Sequence, residues 1–519
     1  MSLAIAALHG NRAHAPASSL AAFVSACTSG ATLIGLEVRA SKQGEPFVIG
    51  RAIGDLDGAA IRAIDLGDSF VVDGGKEQPW AREVPIAKVQ SLGAMLDAVP
   101  EDVELLLTVP DLGDRAALRA AIVELLRRRG LLARAWLAID SGETAAAWGK
   151  GDDLRTAATL TGDALGAWLA SPGSPGLVLA TQADVTGGAA GHRTLRAPRA
   201  AGGKLLVTLD DDLDDAGLRE AVEVLAGAAD AVAFRSTLRL ADAVHAWRTL
   251  EKQSFAGEEE SASRIHFGYA KANRYGHVFQ HDGVHVKLAP YTGRKEFGDE
   301  ADATEAALSR LQERMFYAMK DWPFYSGGGL GTAFGLDGDF SAEVDFTWAT
   351  AAQATMCEMA VINVDPSKHR PGWITDAGGA KVANPPASFR DKNAFFDPHG
   401  CPPFVGVERD EDDGWRINWN LGTDYDNNQY GRPHGNGKSM GGRLRLDRRG
   451  PWFAAYYRDA DNPDWVSVGT CRNDSLNRRV YLRCVCKRWR QENPAGAGFL
   501  PIPEQEVVFR NLLIRLRLS

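Results

Sequence analysis

The sequence predicts a multidomain protein, an α/β domain followed by an all-β domain. A (β/α)8 TIM barrel is expected over residues 1–252, and an antiparallel β-sandwich of the jelly-roll type over residues 265–519. The length of 519 residues suits two hydrophobic cores better than one. The first half alternates short apolar runs with helical patterns, whereas the second alternates single apolar and polar residues. Between them, residues 253–264 are polar and charged, as expected of a linker.

The N-terminal domain is predicted from eight short apolar runs, most of them followed by an amphipathic helix. Eight strand–helix units in about 250 residues are what a closed parallel barrel requires. Runs without alternation fit strands that are covered on both faces. An open, doubly wound sheet remains the alternative. The predicted strands are IAALHG, TLIGLEV, VELLLTV, RAWLAI, LRTAATL, GLVLA, KLLVTL and AVAF.

The C-terminal domain is predicted from segments in which apolar and polar residues alternate, a pattern typical of antiparallel sheet with one buried face. A helical pattern near residues 300–320 interrupts them as an insertion. Cys484 and Cys486 lie two residues apart in one segment, so both point to one face and are expected to be buried, reduced thiols. The segments are FSAEVDFTW, CEMAVINVD, WRINWN, GRLRLDR, WFAAYYRD, WVSVG, RVYLRCVC and EVVFRNLLIRLRL.

Composition argues against several classes of partner. With 58 basic and 67 acidic residues the net charge is −9, which gives no electrostatic reason to expect nucleic acid. No segment approaches the roughly 20 apolar residues that span a bilayer. The N-terminal MSLAIAALHG lacks the basic region and the long apolar run of a signal peptide, so we expect a cytoplasmic protein. A homo-oligomer remains open.

The first 55 residues resemble a known family. The segment LHGNRAHAPASSLAAFVSACTSGATLIGLEVRASKQGEPFVIGR is similar to the opening of the glycerophosphodiester phosphodiesterase family in the order and spacing of its elements. The resemblance extends over about residues 1–250, because TLDDDLDDAGLREAVEVLAGAADAVAF is similar to the last two barrel strands of that family. It implies two catalytic histidines, acting as general base and general acid, and carboxylates that hold calcium or magnesium.

The catalytic and metal-binding residues implied by this resemblance are only partly present. His9 matches the first catalytic histidine, and Glu37 matches the first metal carboxylate. Arg39 stands where the second carboxylate belongs, and the third is missing near Leu107 or Thr108. One carboxylate beside an arginine holds a metal poorly, so an ion pair between Glu37 and Arg39, or an anion site, is expected instead. Ordinary metal-dependent phosphodiesterase activity is therefore not expected, and the barrel is interpreted as a pseudoenzyme.

Arginines near the expected barrel mouth suggest a second interpretation. The segment VIGR ends in Gly50 and Arg51, where the resemblance implies the second catalytic histidine and its aspartate. Arg12 is displaced by two positions from the phosphate-binding arginine of the family. Together with His9, the guanidinium groups of Arg12, Arg39 and Arg51 would form a phosphate-binding cluster, because arginine forks match phosphate geometry. The alternative is that these arginines are salt-bridged surface residues.

The C-terminal half carries a second resemblance. GRLRLDRRGPWFAAYYRDADNPDWVSVG resembles the signature hairpin of concanavalin A-like jelly rolls, the superfamily of lectins and glucanases, and EVVFRNLLIRLRL resembles its last strand. Residues 414–442 combine aromatic rings with amides, carboxylates and guanidinium groups, the mixture that sugar binding needs. A long loop that satisfies its own backbone is the alternative. The candidate glycan-binding residues are Trp415, Trp419, Asn420, Asp424, Tyr425, Asn427, Asn428, Tyr430, Arg432 and His434.

Within the same stretch, a short acidic segment has the spacing of metal ligands. Asp424, Asp426 and Asn428 follow the i, i+2, i+4 pattern of oxygen ligands in a calcium loop. The glycine and the distal glutamate of an EF-hand are absent. These three residues are the metal candidates, and the alternative is that they satisfy the loop backbone.

The carboxylates of a glucanase are only partly represented. Glucanases of the resembled superfamily carry Glu-x-Asp-x-x-Glu on one strand. Here AEVDFTW supplies Glu343 and Asp345 on one face, but Trp348 stands at the last position; CEMAVINVD supplies Glu358 and Asp365. A retaining glucanase is therefore not expected.

Three functional hypotheses follow. In the first, a catalytically degenerate barrel serves as a scaffold, and the sandwich binds a glycan or glycoconjugate. In the second, the chain is a hydrolase that acts on a phosphodiester or glycosidic substrate through a rearranged site containing His9 and Glu37. In the third, it is a structural or assembly subunit. The expected ligand is a carbohydrate or a phosphorylated small molecule.

Overall fold

The computed structural model describes residues 3–67, 71–72, 76–77, 88–110, 115–139, 155–170, 176–186, 203–244, 246–256, 265–266, 276–288, 325–350, 353–363, 403–411, 413–422, 429–431, 439–489, 495 and 500–517. The chain divides into two compact units, Met1–Arg248 together with Arg517–Ser519, and Thr249–Leu516. The linker expected at 253–264 falls partly outside the described residues, and the helix expected near 300–320 falls wholly outside them.

The N-terminal unit alternates strands and helices along the chain. Its strands are β1 (Ala4–Leu8), β2 (Leu33–Ala40), β3 (Pro46–Val48), β4 (Val71–Val72), β5 (Lys76–Glu77), β6 (Gln90–Ser91), β7 (Glu104–Thr108), β8 (Ala135–Ile139), β9 (Arg155–Thr159), β10 (Leu177–Thr181), β11 (Lys204–Thr208) and β12 (Ala231–Ala233). Its helices are α1 (Leu20–Thr28), α2 (Gly58–Ala63), α3 (Leu92–Leu96), α4 (Arg115–Arg128), α5 (Gly162–Ala170), α6 (Gln182–Thr186), α7 (Asp215–Leu225) and α8 (Thr237–Ala243), with a 3-10 turn at Leu132–Arg134.

Eight of these strands close into a parallel barrel. The order around the barrel is β1, β2, β7, β8, β9, β10, β11 and β12, and β12 pairs with β1. All eight apolar runs predicted as strands belong to this barrel, so the TIM-barrel prediction is confirmed. The alternative of an open sheet is wrong, because β12 and β2 both pair with β1. Outside the barrel, β3 pairs antiparallel with β2, and β6 pairs antiparallel with β3.

Local sequence fixes two of the barrel helices. The side chain of Ser19 caps α1 by accepting a hydrogen bond from the Ala22 amide, and Asp214 caps α7 in the same way. Helix capping thus accounts for part of the acidic run at 210–215. Gly10, after β1, has φ +82°, and a Cβ there would lie 2.6 Å from the carbonyl carbon of Ala22. Only glycine lets α1 approach the end of β1 this closely.

Charged residues at the strand starts close the N-terminal face of the barrel. Arg155, at the start of β9, donates to Glu104 Oε1 at 2.9 Å, and Trp136 Nε1 donates to Glu104 Oε2 at 3.1 Å. The Arg155 guanidinium lies 3.5 Å from the Trp136 ring centroid. Burial raises the pKa of Glu104, but the hydrogen bonds from Trp136 and Arg155 hold it below its ordinary value. This face of a barrel serves stability rather than catalysis.

The remaining strands form the sandwich. In chain order they are β13 (Trp247–Gln253), β14 (Ile265–His266), β15 (Gly276–Gln280), β16 (Val284–Leu288), β17 (Tyr325–Thr332), β18 (Leu336–Asp337), β19 (Phe340–Trp348), β20 (Thr355–Ile362), β21 (Phe404–Asp410), β22 (Gly414–Asn420), β23 (Gln429–Tyr430), β24 (Gly441–Arg449), β25 (Trp452–Arg458), β26 (Val466–Arg472), β27 (Arg479–Trp489) and β28 (Gln505–Arg517).

These strands pair into two sheets. The first sheet has the order β15-β16-β28-β19-β24-β25-β26, with β13 also paired to β28. The second has the order β14-β17-β27-β20-β21-β22-β23, with β18 also paired to β27. The central pairs of both sheets are antiparallel. The prediction of an antiparallel β-sandwich is confirmed.

Aromatic side chains join the inner faces of the two sheets. Trp415 of β22 stacks on Tyr457 of β25 with the ring centroids 4.3 Å apart, and Phe346 of β19 lies 5.6 Å from Trp415. Cys484 and Cys486 are both buried free thiols, as their alternation predicts. Within the described part of the chain, no helix is both long and apolar enough to cross a bilayer.

Replacing Glu104 by Gln should destabilise the barrel by about 2 kcal/mol at pH 7, because it breaks a partly buried ion pair with Arg155. The folded-state pKa of Glu104 is lowered, so this contribution is present above the ordinary value of 4.5 and is lost as the pH falls through the folded-state value. Denaturant unfolding at pH 7 measures the loss. The matched control is Glu124→Gln on α4, whose ion pairs with Arg127 and Arg128 are exposed, so its loss should be much smaller. An equal loss in both variants would contradict this account.

Candidate functional site

The mouth of the barrel contains two residues with unusual backbone conformations. His9 follows β1 with φ 63°, and Ser18 precedes α1 with φ 64°. Each is in the left-handed region, which is costly for a residue with a side chain. The Ser18 amide donates to the His9 carbonyl at 3.0 Å, which links the two strained positions. Strained residues at the carboxyl end of barrel strands mark a candidate site.

Three polar groups converge over Gly50, which follows β3. A Cβ on Gly50 would lie 3.5 Å from Ser18 Oγ, 3.7 Å from His9 Nδ1 and 3.9 Å from Glu37 Oε2. Ser18 Oγ is buried and makes no hydrogen bond. The family resemblance implies a second catalytic histidine at Gly50. A side chain at this position would lie among Ser18, His9 and Glu37.

A guanidinium group occupies the position where the family resemblance implies a second metal carboxylate. Arg39 donates to Glu37 Oε1 through Nε at 2.9 Å and through Nη2 at 2.5 Å, so the predicted ion pair is present. Thr108 of β7 lies directly beside Glu37 in register and supplies no carboxylate. Within the described residues, no three His, Cys, Asp or Glu side chains are grouped to hold a metal ion. The described residues at the mouth therefore do not fit a divalent cation.

The other arginines predicted at the mouth differ in their partners. Arg12 donates to both carboxylate oxygens of Asp211, at 3.1 and 3.3 Å. Arg51 is exposed directly after Gly50. Burial lowers the pKa of His9; Glu37 opposes this shift and Arg12 adds to it. Arg12 and Arg39 are thus paired with carboxylates, whereas Arg51 forms no ion pair with the described residues.

Strand alternation separates the predicted sugar-binding residues of β22. Trp415 points inward and is buried against Tyr457, and Trp419 shares its side of the strand and is partly exposed. Asn420 points to the other face, where it is buried and accepts a hydrogen bond from the Gly422 amide at 2.7 Å. Tyr430 of β23 is exposed. Seven further candidates lie outside the described residues: Asp424, Tyr425, Asp426, Asn427, Asn428, Arg432 and His434.

Two glutamates meet on the outer face of the second sheet. Glu358 of β20 and Glu408 of β21 are directly opposite in register, and both are fully buried. Asn418 of β22 bridges them, since its Nδ2 donates to Glu408 Oε2 at 2.6 Å and to Glu358 Oε1 at 3.4 Å. Asn418 Oδ1 is buried and accepts no hydrogen bond. A paired set of carboxylates with an unsatisfied amide oxygen is uncommon in a buried position.

Two arginines balance this carboxylate pair. Arg416 donates to Glu408, and Arg483 lies 3.5 Å from Glu358 Oε2. Burial raises the pKa of Glu408 to about 8, and the neighbouring Glu358 adds to the shift while Arg416 opposes it. Burial raises the pKa of Glu358 as well, against the attraction of Arg483. Carboxyl groups with a raised pKa are a common property of functional sites.

These groups lie next to a row of five residues that are partners in register across the sheet. Tyr430, Asn418, Gly406, Ala360 and Arg483 are successive partners in register on β23, β22, β21, β20 and β27. A Cβ on Gly406 would lie 2.5 Å from Asn418 Oδ1 and 2.8 Å from Glu358 Oε1, so only glycine fits beneath these oxygens. The exposed Tyr430 marks the open end of the row. We call this row, with Glu358, Glu408 and Arg416 beside it, the outer carboxylate face.

The carboxylates of the partial glucanase pattern have a different environment. Glu343 of β19 receives hydrogen bonds from Arg443, Arg445 and Arg515, at 2.8, 3.3 and 2.6 Å. Burial raises the pKa of Glu343, but these guanidinium groups bring it below its ordinary value. Asp345 is paired with Arg443 at 2.7 Å. A carboxylate held this firmly in its ionised form does not suit general acid catalysis.

Structural comparison matches the N-terminal unit to solved phosphodiesterases. The glycerophosphoryl diester phosphodiesterase domain of a Mycobacterium tuberculosis protein is 17% identical; the match covers 46% of this chain and 97% of that chain, with a TM-score of 0.38. A glycerophosphodiester phosphodiesterase from Agrobacterium tumefaciens is 18% identical, with 46% and 99% covered and a TM-score of 0.35. The N-terminal unit is similar to these proteins in fold.

A third similar structure is a phosphodiesterase from Oleispira antarctica in complex with the product sn-glycerol-3-phosphate. It is 15% identical, the match covers 47% of this chain and 97% of that chain, and the TM-score is 0.36. No family model matches the chain, and comparison with curated proteins gives no match either. Similarity at this level concerns the fold alone.

Sequence inspection missed Glu408, Arg416 and Asn418. Alternation within WRINWN separates Arg416 and Asn418 from the tryptophans, so that signal was present in the sequence. The pairing of Glu408 with Glu358 depends on the register between β20 and β21, which the local sequence does not contain.

The stability of the sandwich should fall as the pH rises from about 5 to about 8, with a slope of up to about 1.4 kcal/mol per pH unit. The reason is that Glu408 keeps its proton in the folded state up to pH about 8, whereas the unfolded chain loses it near 4.5. Glu408→Gln should flatten this dependence. Calorimetric melting of the full chain between pH 5 and 9 measures it.

The control for this experiment is Asp474→Asn, which removes an exposed carboxylate paired with Arg472 in the same domain. Its melting profile should follow that of the wild type. Identical pH profiles for the wild type and Glu408→Gln would show that Glu408 is ionised in the fold at neutral pH.

Proposed function

We propose that the chain is a carbohydrate-binding protein in which the sandwich recognises a glycan on its outer carboxylate face and the barrel serves as a scaffold. One observation carries this proposal: the exposed Tyr430 lies in register with Asn418, a buried amide with an unsatisfied oxygen, and Asn418 bridges a buried carboxylate pair on the neighbouring strands. We propose a polyhydroxylated ligand because its hydroxyl groups donate and accept hydrogen bonds while its ring carbons are apolar.

The chemistry of the outer carboxylate face suits such a ligand. Asn418 Oδ1, in register with the exposed Tyr430, would accept a hydrogen bond from a hydroxyl group, and Arg416 would donate one. The Arg416 guanidinium lies 4.4 Å from the Tyr430 ring centroid, which holds a ring that is 40% exposed in a fixed orientation. An aromatic face of this kind packs against the C–H side of a pyranose. A ligand would enter from the Tyr430 end, because the row becomes buried toward Ala360.

The scaffold role of the barrel is supported by the ion pair at its mouth. Arg39 occupies Glu37 Oε1, and Gly50 and Thr108 supply neither a proton-transfer group nor a metal ligand. His9 alone would have to act as both base and acid on a phosphodiester. The described residues of the barrel mouth therefore do not supply the groups that metal-dependent hydrolysis needs.

Tyr430→Ala should weaken binding of a neutral oligosaccharide about tenfold, because stacking of an aromatic ring contributes about 1 kcal/mol or more beyond the area it buries. Oligosaccharides are first selected on a glycan array, and affinity is then measured by isothermal titration calorimetry. Tyr430→Phe keeps the ring and should retain affinity. Equal binding by the wild type and Tyr430→Ala, or no glycan binding by the wild type, would overturn the proposal.

A second candidate function is hydrolysis at the barrel mouth, favoured by the convergence of His9, Ser18 and Glu37 over Gly50. The similar Oleispira phosphodiesterase, solved with sn-glycerol-3-phosphate, suggests a phosphodiester as the substrate. We expect the wild type to leave bis(p-nitrophenyl) phosphate and glycerophosphocholine intact with calcium or magnesium. Turnover that is lost in His9→Ala would instead establish this second candidate.

A further inference from the structure

The outer face of the first sheet contains a cavity of about 650 Å³, within the range of ligand pockets. Part of its wall is a row of charged side chains on four neighbouring strands. Arg510 of β28 is directly opposite Asp345 of β19, which is opposite Arg443 of β24, which is opposite Arg458 of β25. Residues that are partners in register share one face of the sheet, so these four form a continuous surface.

A glycine opens the floor of this cavity. Gly441 of β24 is directly opposite Thr347 of β19, and Thr347 is opposite Val508 of β28. A Cβ on Gly441 would lie 2.7 Å from the Phe346 carbonyl oxygen and 3.1 Å from Thr347 Oγ1. Because Gly441 has no side chain, the Thr347 hydroxyl and the backbone form the floor of the cavity. This floor lies between the charged row and Val508.

Most charges that line the cavity have partners. Arg443 donates to Asp345 Oδ1 at 2.7 Å, and Arg510 donates to Asp282 Oδ2 at 2.9 Å. Arg458 differs, since no carboxylate in the described part of the chain forms an ion pair with its guanidinium group. That group lies 4.9 Å from the Trp465 ring centroid, which holds its position. The cavity therefore presents one positioned guanidinium group that is free to bind an acid.

Apolar side chains line another part of the cavity. Met440, 43% exposed, lines it together with Pro463 and Val508. We propose that this cavity binds a uronic acid, a pyranose that carries one carboxylate. The Arg458 fork would bind the carboxylate, Asp345 and Thr347 would bind ring hydroxyls, and the apolar side chains would contact the ring carbons. A guanidinium fork matches a carboxylate in geometry and in charge.

This site lies on the other sheet from the outer carboxylate face, and the two faces share no residues. If the uronic-acid proposal fails, the proposed binding of neutral glycans is unaffected. If the neutral-glycan proposal fails, the uronic-acid proposal is likewise unaffected. The test uses the full chain, isothermal titration calorimetry and two probes that differ chiefly in one carboxylate, D-glucuronate and D-glucose.

We expect the wild type to bind glucuronate more tightly than glucose, and Arg458→Ala to weaken glucuronate binding at least about tenfold while glucose is unaffected. Arg458→Lys keeps the charge but not the fork, so its affinity should be intermediate. The matched control is Arg472→Ala on β26, whose guanidinium lies 5.6 Å from the Trp452 ring centroid but is paired with Asp474. That variant should bind glucuronate as the wild type does.

Three results would overturn the proposal. They are equal affinity of the wild type for glucuronate and glucose, equal glucuronate affinity in the wild type and Arg458→Ala, and no glucuronate binding by the wild type at millimolar concentrations. Melting temperatures of all variants report whether they are folded. The salt dependence of wild-type binding gives a second measurement that needs no variant, because a charge-assisted contact must weaken as sodium chloride is added.

Discussion

Alternation of side chains along each strand decides which groups of the sandwich can meet. In β22 it directs Trp415 and Ile417 inward and leaves Arg416 and Asn418 on the outside. Aromatic contacts between the sheets occupy the inner faces, and the carboxylates and arginines described above lie on the outer faces. Register across strands then makes these polar groups neighbours. Examples are the outer carboxylate face of the second sheet and the charged row that lines the cavity of the first sheet.

Buried carboxylates need compensation, and arginine supplies it in both units. At the barrel mouth, Arg39 is the counter-ion of Glu37. On the outer carboxylate face, Arg416 contacts Glu408 and Arg483 contacts Glu358, but burial still raises the pKa of both glutamates. Buried ion pairs often add no stability over apolar residues of the same size, because desolvation offsets the attraction. The proposed ligand site rests on two buried glutamates with raised pKa values and an unsatisfied amide oxygen at one place.

The sequence predicts the architecture well because burial leaves a local pattern. Each apolar run of the first half is a barrel strand, since a strand covered on both faces is apolar throughout. The site is predicted less well because it depends on pairing between distant strands. Trp415 and Asn420 look alike as sugar ligands in the sequence, yet they point to opposite faces of β22. Glu408 gives no local signal at all, and only its register with Glu358 makes it notable.

The most direct test of the central claim is a crystal structure of the protein with a neutral oligosaccharide selected by the glycan array. The account predicts sugar density over the outer carboxylate face, with one pyranose ring against Tyr430 and a hydroxyl group within hydrogen-bond distance of Asn418 Oδ1. Sugar bound elsewhere on the sandwich, with the Tyr430–Asn418 row unchanged, would contradict it. Such a result would leave the buried glutamates with a purely structural role.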